Sequence, residues 1–228
     1  MSDKKIVTGD TGEVVIAKAK DFWTRNSKAI MIACGAIILL AGGWLIYKNY
    51  VKEPKNIKAS EALYKAEEYY RMDSCNLALN GDGQHMGLLR VISRFSGTDA
   101  ANLAQFYAGS CYLKMGDNQN AIKHLEKFET DAKQIQARAY KLLGDAYADA
   151  GNNGEALSNY KKAARHFEKD YSQSAEALFM AAYFADRVVK NQQEAIELYK
   201  ELKEKYPNTQ QGLQADNYLA QLGVYNIN

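Results

Sequence analysis

Proline and cysteine are scarce in this chain, and each scarcity narrows the structures that it can adopt. Two prolines among 228 residues leave room for long uninterrupted helices. The three cysteines, Cys34, Cys75 and Cys111, lie far apart, without a CxxC pair or a spacing typical of metal ligands. A disulfide framework is therefore not expected, and the sequence leaves open whether Cys75 and Cys111 pair in an oxidising compartment.

Excess charge and strand-forming runs are also missing. The 29 basic and 27 acidic residues give a net charge of +2, so the basic surplus typical of a nucleic-acid binder is absent. Runs of valine, isoleucine and threonine are missing beyond the N-terminal third, whereas alanine, leucine, lysine, glutamate and tyrosine dominate. These features predict an all-α protein.

The longest apolar run spans residues 29–47 and reads AIMIACGAIILLAGGWLIY, without a charge. Its 19 residues, at about 1.5 Å each, nearly cross a hydrocarbon core of about 30 Å. A long polar segment precedes the run and bulky residues follow it, so a cleaved signal peptide is not favoured. The sequence predicts an N-terminal tail at 1–28, a transmembrane helix at 29–47 and a juxtamembrane stalk at 48–58.

Basic residues flank both ends of this run, so the positive-inside rule does not orient it. Those on the N-terminal side are Lys18, Lys20, Arg25 and Lys28, and those on the other side are Lys48, Lys52, Lys55 and Lys58. Lysine and arginine counts leave both topologies open.

The predicted soluble domain, residues 59–228, contains a repeat whose clearest copy is LLGDAYADAGNNGEALSNYKKA. Small residues at Gly144 and Ala156 allow two antiparallel helices to approach closely, and Tyr147 and Tyr160 fill the space beside them. The pattern resembles the tetratricopeptide repeat, which implies a right-handed stack of antiparallel helix pairs, an α-solenoid. The repeat-defining residues are Leu143, Gly144, Tyr147, Ala156, Tyr160, Ala163, Ala195, Tyr199 and Pro207.

Weaker copies flank this unit. Upstream, Gly109 and Ala121 occupy the small positions. Downstream, Tyr183 and Asp186 replace the usual glycine and tyrosine, which predicts a distorted or more loosely packed hairpin.

The ends of the domain diverge further from the pattern. A first hairpin is predicted to pair residues 59–79 with 87–95 across a glycine-containing loop at 80–84. A last helix at about 210–222 is predicted to cap the stack. The domain then holds about three to four hairpins and a capping helix.

In repeats of this type, the first helix of each hairpin lines a concave surface, which accepts an extended or helical partner segment. On the predicted register the inward residues are Leu103, Phe106, Ser110, Leu113, Arg138, Lys141, Asp145, Met180 and Phe184. Asp145, one turn after Lys141, disfavours a groove that grips a C-terminal carboxylate.

Catalytic motifs are missing from the sequence. It contains no glycine-rich phosphate loop, GxSxG elbow or HExxH pair, and His85, His124 and His166 are isolated from one another. The prediction is a protein-interaction module that is not an enzyme and has no catalytic residue, cofactor, metal, nucleic-acid partner or small-molecule substrate.

A basic tail, the anchor KAIMIACGAIILLAGGWLIYKNY, a lysine-rich stalk and degenerate repeats follow one another, and residues 21–28 place aromatics and an asparagine beside the anchor. In this order of features the chain resembles, over nearly its whole length, the bacterial ancillary subunit of the SecYEG translocon. The resemblance implies a single-pass protein of the bacterial inner membrane, with its tail in the cytoplasm and its repeats in the periplasm.

The same resemblance implies the partners. They are the translocon subunits, a membrane-bound prolyl-isomerase chaperone and unfolded secretory chains, and the protein would assist periplasmic chaperoning of those chains. A structural scaffold subunit of another cell-envelope complex and a cytoplasmic adaptor of opposite topology stay open as alternatives. The identity of the client and the oligomeric state do not follow from the sequence.

Overall fold

The computed structural model describes residues 11–225, with side chains from residue 15. The described part is built from helices joined by turns and short loops, which confirms the all-α prediction. In chain order the elements are α1 (Thr11–Tyr47), π1 (Lys48–Lys52), α2 (Glu53–Arg71), α3 (Cys75–Asn80), α4 (Leu88–Arg94), α5 (Asp99–Lys114), α6 (Asn118–Leu125), α7 (Lys133–Asp149), α8 (Asn153–His166), α9 (Tyr171–Phe184), π2 (Ala185–Val189), α10 (Gln192–Lys205) and α11 (Gln210–Gln221). The start of the predicted tail, residues 1–10, lies outside the described residues.

The chain divides into two units, the first ending at Pro54 and the second beginning at Lys55. The first unit contains α1, and the second half of this helix is the apolar run 29–47. Side chains along the run, such as Ile38 and Leu39, are exposed. Within the described residues, the helical segment that contains this run is the one long and apolar enough to cross a membrane, judged by length and composition.

The second unit consists of helical hairpins, and the turns inside three of them share one design. At the turn between α7 and α8, Gly151 is left-handed with φ 77°. The next residue, Asn152, caps α8 by accepting a hydrogen bond from the Glu155 N–H at 3.4 Å. The same two positions recur as Gly116 with Asp117 and as Lys190 with Asn191. A left-handed residue followed by a side-chain cap therefore makes these three reversals.

The two helices of a hairpin cross closely where the sequence predicts a small residue. A Cβ atom added at Gly144 would lie 2.6 Å from Tyr160 Cδ1, and one added at Gly109 would lie 2.5 Å from Leu125 Cγ. Glycine on the first helix thus makes room for a large side chain on the second. The repeat-defining residues that are buried are Leu143, Gly144, Ala156, Tyr160, Ala163, Ala195 and Tyr199, while Tyr147 is half-buried and Pro207 is exposed.

The predicted single helix over 59–79 is wrong. Helix α2 ends at Arg71 and α3 begins at Cys75. Between them, Asp73 is left-handed with φ 59°, as glycine is in the later turns. The loop after Asn80 therefore interrupts the second half of the hairpin instead of separating its two helices. The turn was missed because aspartate, which tolerates the left-handed region, stands where glycine was sought.

The hairpin of α9 and α10 has one residue more between its two N-caps, Asp170 and Asn191, than the hairpin of α7 and α8 has between Ala132 and Asn152. The Asn191 N–H bonds the carbonyl of Ala185, six residues earlier, at 2.9 Å. The equivalent Asn152 N–H bonds the carbonyl of Tyr147, five residues earlier, at 2.8 Å. The wider π2 turn takes up the extra residue.

Because π2 takes up this residue, the buried positions of α9 lie one residue earlier than a count back from the turn before α10 predicts. Ala182 is fully buried, whereas Tyr183, which the counted register placed at the glycine position, is 40 % exposed. Ala185 and Tyr199 are also fully buried. The predicted distortion is therefore π2, and the packing around it is not loose.

Candidate protein-binding groove

Side chains from α2, α5, α7 and α9 line two adjoining pockets that share Arg138. The first, of about 300 Å³, is lined by Glu67, Tyr70, Arg71, Leu103, Phe106, Tyr107, Ile135 and Arg138. The second, of about 450 Å³, is lined by Arg138, Lys141, Leu142, Asp170, Ser172, Gln173 and Glu176. We call the two pockets together the groove.

Aromatic and aliphatic groups form the wall of the first pocket. The rings of Tyr70 and Tyr107 lie 4.7 Å apart, centre to centre, and join α2 to α5. Phe106 packs behind them, 5.2 Å from the ring of Phe128, and is only 5 % exposed. Ile135, which begins the α7 side of the pocket, is 41 % exposed. Tyr70, Tyr107 and Ile135 therefore offer the accessible apolar surface, while Phe106 belongs to the core.

A carboxylate organises the polar edge of the first pocket. Glu67 Oε1 accepts a hydrogen bond from Tyr107 Oη at 3.0 Å and another from Arg71 Nη2 at 2.7 Å. Burial, followed by the hydrogen bond to Glu67, raises the pKa of Tyr107 to about 12. The hydrogen bond to Glu67 likewise raises the pKa of Arg71. The Tyr107 hydroxyl is thus a fixed donor at neutral pH, and Glu67 is already satisfied by two partners.

Arg138 stands where the two pockets meet and is exposed. Across the residues that the structure describes, no carboxylate lies within ion-pair distance of its guanidinium. Its planar group is suited to a bidentate contact with a carboxylate. It is therefore a cation available to a ligand beside an apolar surface.

Charged side chains that pair with one another line the second pocket. Lys141 Nζ lies 3.4 Å from Asp145 Oδ2 and 3.7 Å from Glu176 Oε1, so it connects α7 to α9. Asp170 caps α9 by accepting from the Gln173 N–H at 3.1 Å. This pocket is suited to polar contacts, which add register and specificity to the apolar contacts next to it.

The sequence-predicted groove residues divide into those that line the pockets and those that do not. Leu103, Phe106 and Arg138 line the first pocket, and Arg138 and Lys141 line the second. Asp145 pairs with Lys141. Ser110 is buried and its hydroxyl lies 3.1 Å from Tyr70 Oη, while Leu113 is half-buried.

On α9 the predicted positions are displaced. Phe184 is 8 % exposed and its ring lies 5.6 Å from that of Tyr160, within the core, and Met180 packs against the same core. Glu176, not predicted, faces Lys141. The shift has a physical cause, because π2 adds one residue between α9 and the turn from which the register was counted.

The sequence prediction missed the α2 side of the groove. The sequence pattern places the turn of the first hairpin at 80–84, and that alignment does not bring Tyr70, Glu67 and Arg71 to the groove. Aligning Ser74, which precedes α3, with Asp117, which precedes α6, matches Tyr70 with the predicted Leu113. The signal was present as a polar residue at a helix start, without the glycine that normally accompanies it.

A second group of aromatic side chains joins α9, α10 and α11. The Tyr199 and Tyr218 rings are stacked with centres 5.1 Å apart, and Phe179 lies 5.3 Å from Tyr218. Tyr199 Oη is buried and has no hydrogen-bond partner within the described part of the chain. Burial raises the pKa of this hydroxyl. The group ties α11 to the last hairpin, at the position predicted for a cap.

Cys75 and Cys111 are both free and buried in the same apolar cluster of the second unit, and Cys34 is exposed on α1. Over residues 11–225, no cluster of three or more His, Cys, Asp or Glu side chains is arranged to hold a metal ion.

Comparison with protein families gives two matches. A family described as tetratricopeptide repeat-like domain matches residues 20–139. A second, described as tetratricopeptide repeat, matches residues 175–209, which contain most of α9 and all of π2 and α10. A comparison with curated proteins finds no match.

Proposed function

The chain belongs to the tetratricopeptide repeat-like domain family, and on that premise we propose that it is a membrane-anchored module that binds other proteins through the groove. Repeats of this family are typically non-catalytic and bind protein partners. We further propose that it is an accessory subunit of the Sec translocon that assists periplasmic chaperoning of secreted proteins. Its localisation would be the bacterial inner membrane, with the C-terminal domain in the periplasm.

The observation that carries the proposed binding through the groove is the unpaired Arg138 beside an exposed apolar surface. A partner segment inserts an apolar side chain between Ile135 and Tyr107 and places a carboxylate against Arg138. Exposed ion pairs alone contribute little, so the apolar contact supplies most of the affinity and Arg138 sets the orientation. Polar groups of the second pocket then contact the rest of the segment.

The domain organisation is part of the proposal. A tail at 1–28 lies in the cytoplasm, residues 29–47 cross the membrane, and a stalk at 48–58 leads to the repeat domain at 59–228. Support comes from the exposed apolar side chains of α1 and from the resemblance of the whole arrangement to the ancillary translocon subunit. The proposed partners are translocon subunits, a membrane-bound prolyl-isomerase chaperone and unfolded secretory chains.

Crosslinking in membranes tests the partner. After mild crosslinking, the wild-type protein is expected to co-purify with SecY. The protein that carries both Ile135→Ser and Arg138→Glu is expected to co-purify with more than tenfold less SecY, which is the size of loss that truncating an interface anchor produces. Lys162→Glu, an equal charge change at an exposed residue of α8, is the matched control and should leave recovery unchanged. Thermal melting of each variant checks that the fold is kept.

Recovery of a different envelope complex, insensitive to the groove substitutions, would favour the alternative of a structural scaffold subunit. If the doubly substituted protein and the Lys162→Glu control both recover as much SecY as the wild type, the groove is not the SecY-binding surface. The translocon assignment would then still stand.

Labelling tests the topology. A cysteine at the exposed position Glu204 should react with a membrane-impermeant maleimide in intact spheroplasts. The native cysteines need no replacement, because Cys75 and Cys111 are buried and Cys34 lies in the apolar run. Reaction only after lysis would place the repeats in the cytoplasm and contradict the proposal.

A further inference from the structure

The part of α1 that precedes the apolar run has one apolar face. Successive residues of an α-helix are rotated by about 100°. At this spacing Val15, Ile16, Ala19, Phe22 and Trp23 fall within about a third of the circumference. All five are exposed, Val15 by 65 % and Trp23 by 55 %, so the first unit itself leaves this face uncovered.

Basic side chains border the apolar face. By the same rotation, Lys18 and Arg25 lie along one edge and Lys20 along the other, and Lys28 follows at the start of the apolar run. Asp21 is the one acid between Val15 and Lys28. Long basic side chains at both edges of an apolar face carry their charge to lipid headgroups while the face enters the acyl boundary.

The junction between this segment and the apolar run contains two side chains that bond back to the helix. Thr24 Oγ1 donates to the carbonyl of Asp21 at 3.0 Å, and Asn26 Nδ2 donates to the carbonyl of Phe22 at 3.0 Å. Bonds of this kind from side chains to preceding carbonyls compete with the backbone ladder and favour a bend.

We propose that residues 15–23 form a surface helix that lies in the headgroup layer of an acidic phospholipid membrane, joined to the crossing helix by a bend at Thr24 to Asn26. The inference rests on the membrane anchoring proposed above. A lipid surface is favoured over a protein partner because the segment continues directly into the apolar run and its charges complement anionic headgroups from both edges. In the structure the same residues belong to α1, which continues without a break into the apolar run.

Two single-tryptophan variants of the full-length protein test this arrangement. Both carry Trp23→Phe and Trp44→Phe, and one adds Val15→Trp on the apolar face while the other adds Ala17→Trp on the opposite face. If α1 stood upright, position 15 would be about 20 Å beyond residue 29 and far from the acyl chains. The proteins are reconstituted in vesicles of phosphatidylcholine with or without phosphatidylglycerol.

In vesicles with phosphatidylglycerol, the Val15→Trp protein should be quenched by lipids brominated near the headgroup. It should also be severalfold less sensitive to aqueous acrylamide than the Ala17→Trp protein. Adding Lys18→Gln and Arg25→Gln, or raising the salt concentration, should abolish this difference, because both weaken attraction to anionic lipid. Vesicles of phosphatidylcholine alone should show a smaller difference.

Equal acrylamide sensitivity at the two positions in acidic vesicles would overturn the proposal, provided that the protein floats with the vesicles. Protection of position 15 in native membrane vesicles but not in pure lipid would overturn it in favour of a protein partner. Failure of the protein to float with any vesicle would overturn the anchoring itself, and this surface with it.

Discussion

The Tyr160 hydroxyl donates a hydrogen bond to Asp145 Oδ1 at 2.9 Å and so fixes the groove wall to the core. Tyr160 belongs to α8 and is buried, whereas Asp145 belongs to α7 and pairs with Lys141 in the second pocket. Burial, followed by the charge of Asp145, raises the pKa of Tyr160, so its hydroxyl keeps its proton at neutral pH. Tyr160 therefore holds Asp145 in place, and Asp145 in turn positions Lys141.

Tyr160→Phe should lower the free energy of unfolding by about 1 kcal/mol, because the half-buried Asp145 loses its donor. Tyr147→Phe is the matched control. Tyr147 also donates to a carboxylate, that of Glu126, but this pair is exposed and water replaces the lost bond. Urea unfolding of the full-length protein in detergent measures both, and an equal loss for the two variants would contradict the expected role of burial.

Gly144→Ala should destabilise the protein by about 1 to 3 kcal/mol, the usual effect of a group that a packed core has no room for. The added Cβ would meet Tyr160 Cδ1 at 2.6 Å. At Gly154, in the first turn of α8, a Cβ would have no neighbour within 4 Å, so Gly154→Ala should be neutral or stabilising by up to about 1 kcal/mol. Thermal melting separates the two, and an unchanged melting temperature for Gly144→Ala would refute the close crossing.

The middle hairpin was predictable because each of its local signals agrees with the packing. Gly144 and Ala156 are small where the helices cross, and Gly151 with Asn152 mark the turn. The first hairpin was not predictable in the same way, because Asp73 takes the left-handed conformation that glycine usually adopts. Turn signals read from residue type alone miss a residue whose conformation is imposed by its surroundings.

Part of the groove escaped prediction for a different reason. Helical register was counted from the turns, and one extra residue before Asn191 displaced every inward position of α9. The exposed Tyr183 and the buried Ala182 show the displacement. Counting sequence positions does not show where a helix changes from α-helical to π-helical hydrogen bonding. The π2 segment is therefore seen only in the structure.

Deleting Val188 should leave the melting temperature of the protein nearly unchanged. This residue is 43 % exposed within π2, and its removal allows a regular α-helix to reach Lys190 in the register of the other hairpins. Deleting Asp149 from the corresponding end of α7, which has no surplus residue, should lower the melting temperature strongly. A similar loss for both deletions would show that π2 is required by its neighbours.

The contribution of the Tyr107 hydrogen bond to stability should disappear in alkali. The unfolded tyrosine has a pKa of about 10, and the folded Tyr107 has a pKa raised to about 12. Since the folded state holds its proton more tightly, the stabilisation is complete below pH about 10 and is lost as pH rises to about 12.

Comparison with Tyr107→Phe isolates this contribution. Wild type should unfold at higher denaturant concentration than the variant up to about pH 10, and the difference should close towards pH 12. Changes at lysines affect both proteins alike and cancel in the comparison. A difference that is independent of pH over this range would show that the Tyr107 to Glu67 bond does not contribute.

The π2 segment also bears on how arrays of this kind change during evolution. A single codon inserted into a regular helix rotates all later side chains by about 100° and exposes residues selected for burial. Here the rotation is confined to Ala185–Val189, and the cap at Asn191 keeps the geometry found at Asn152. Such a segment allows one repeat to differ in length by a residue while the repeats on either side keep their spacing.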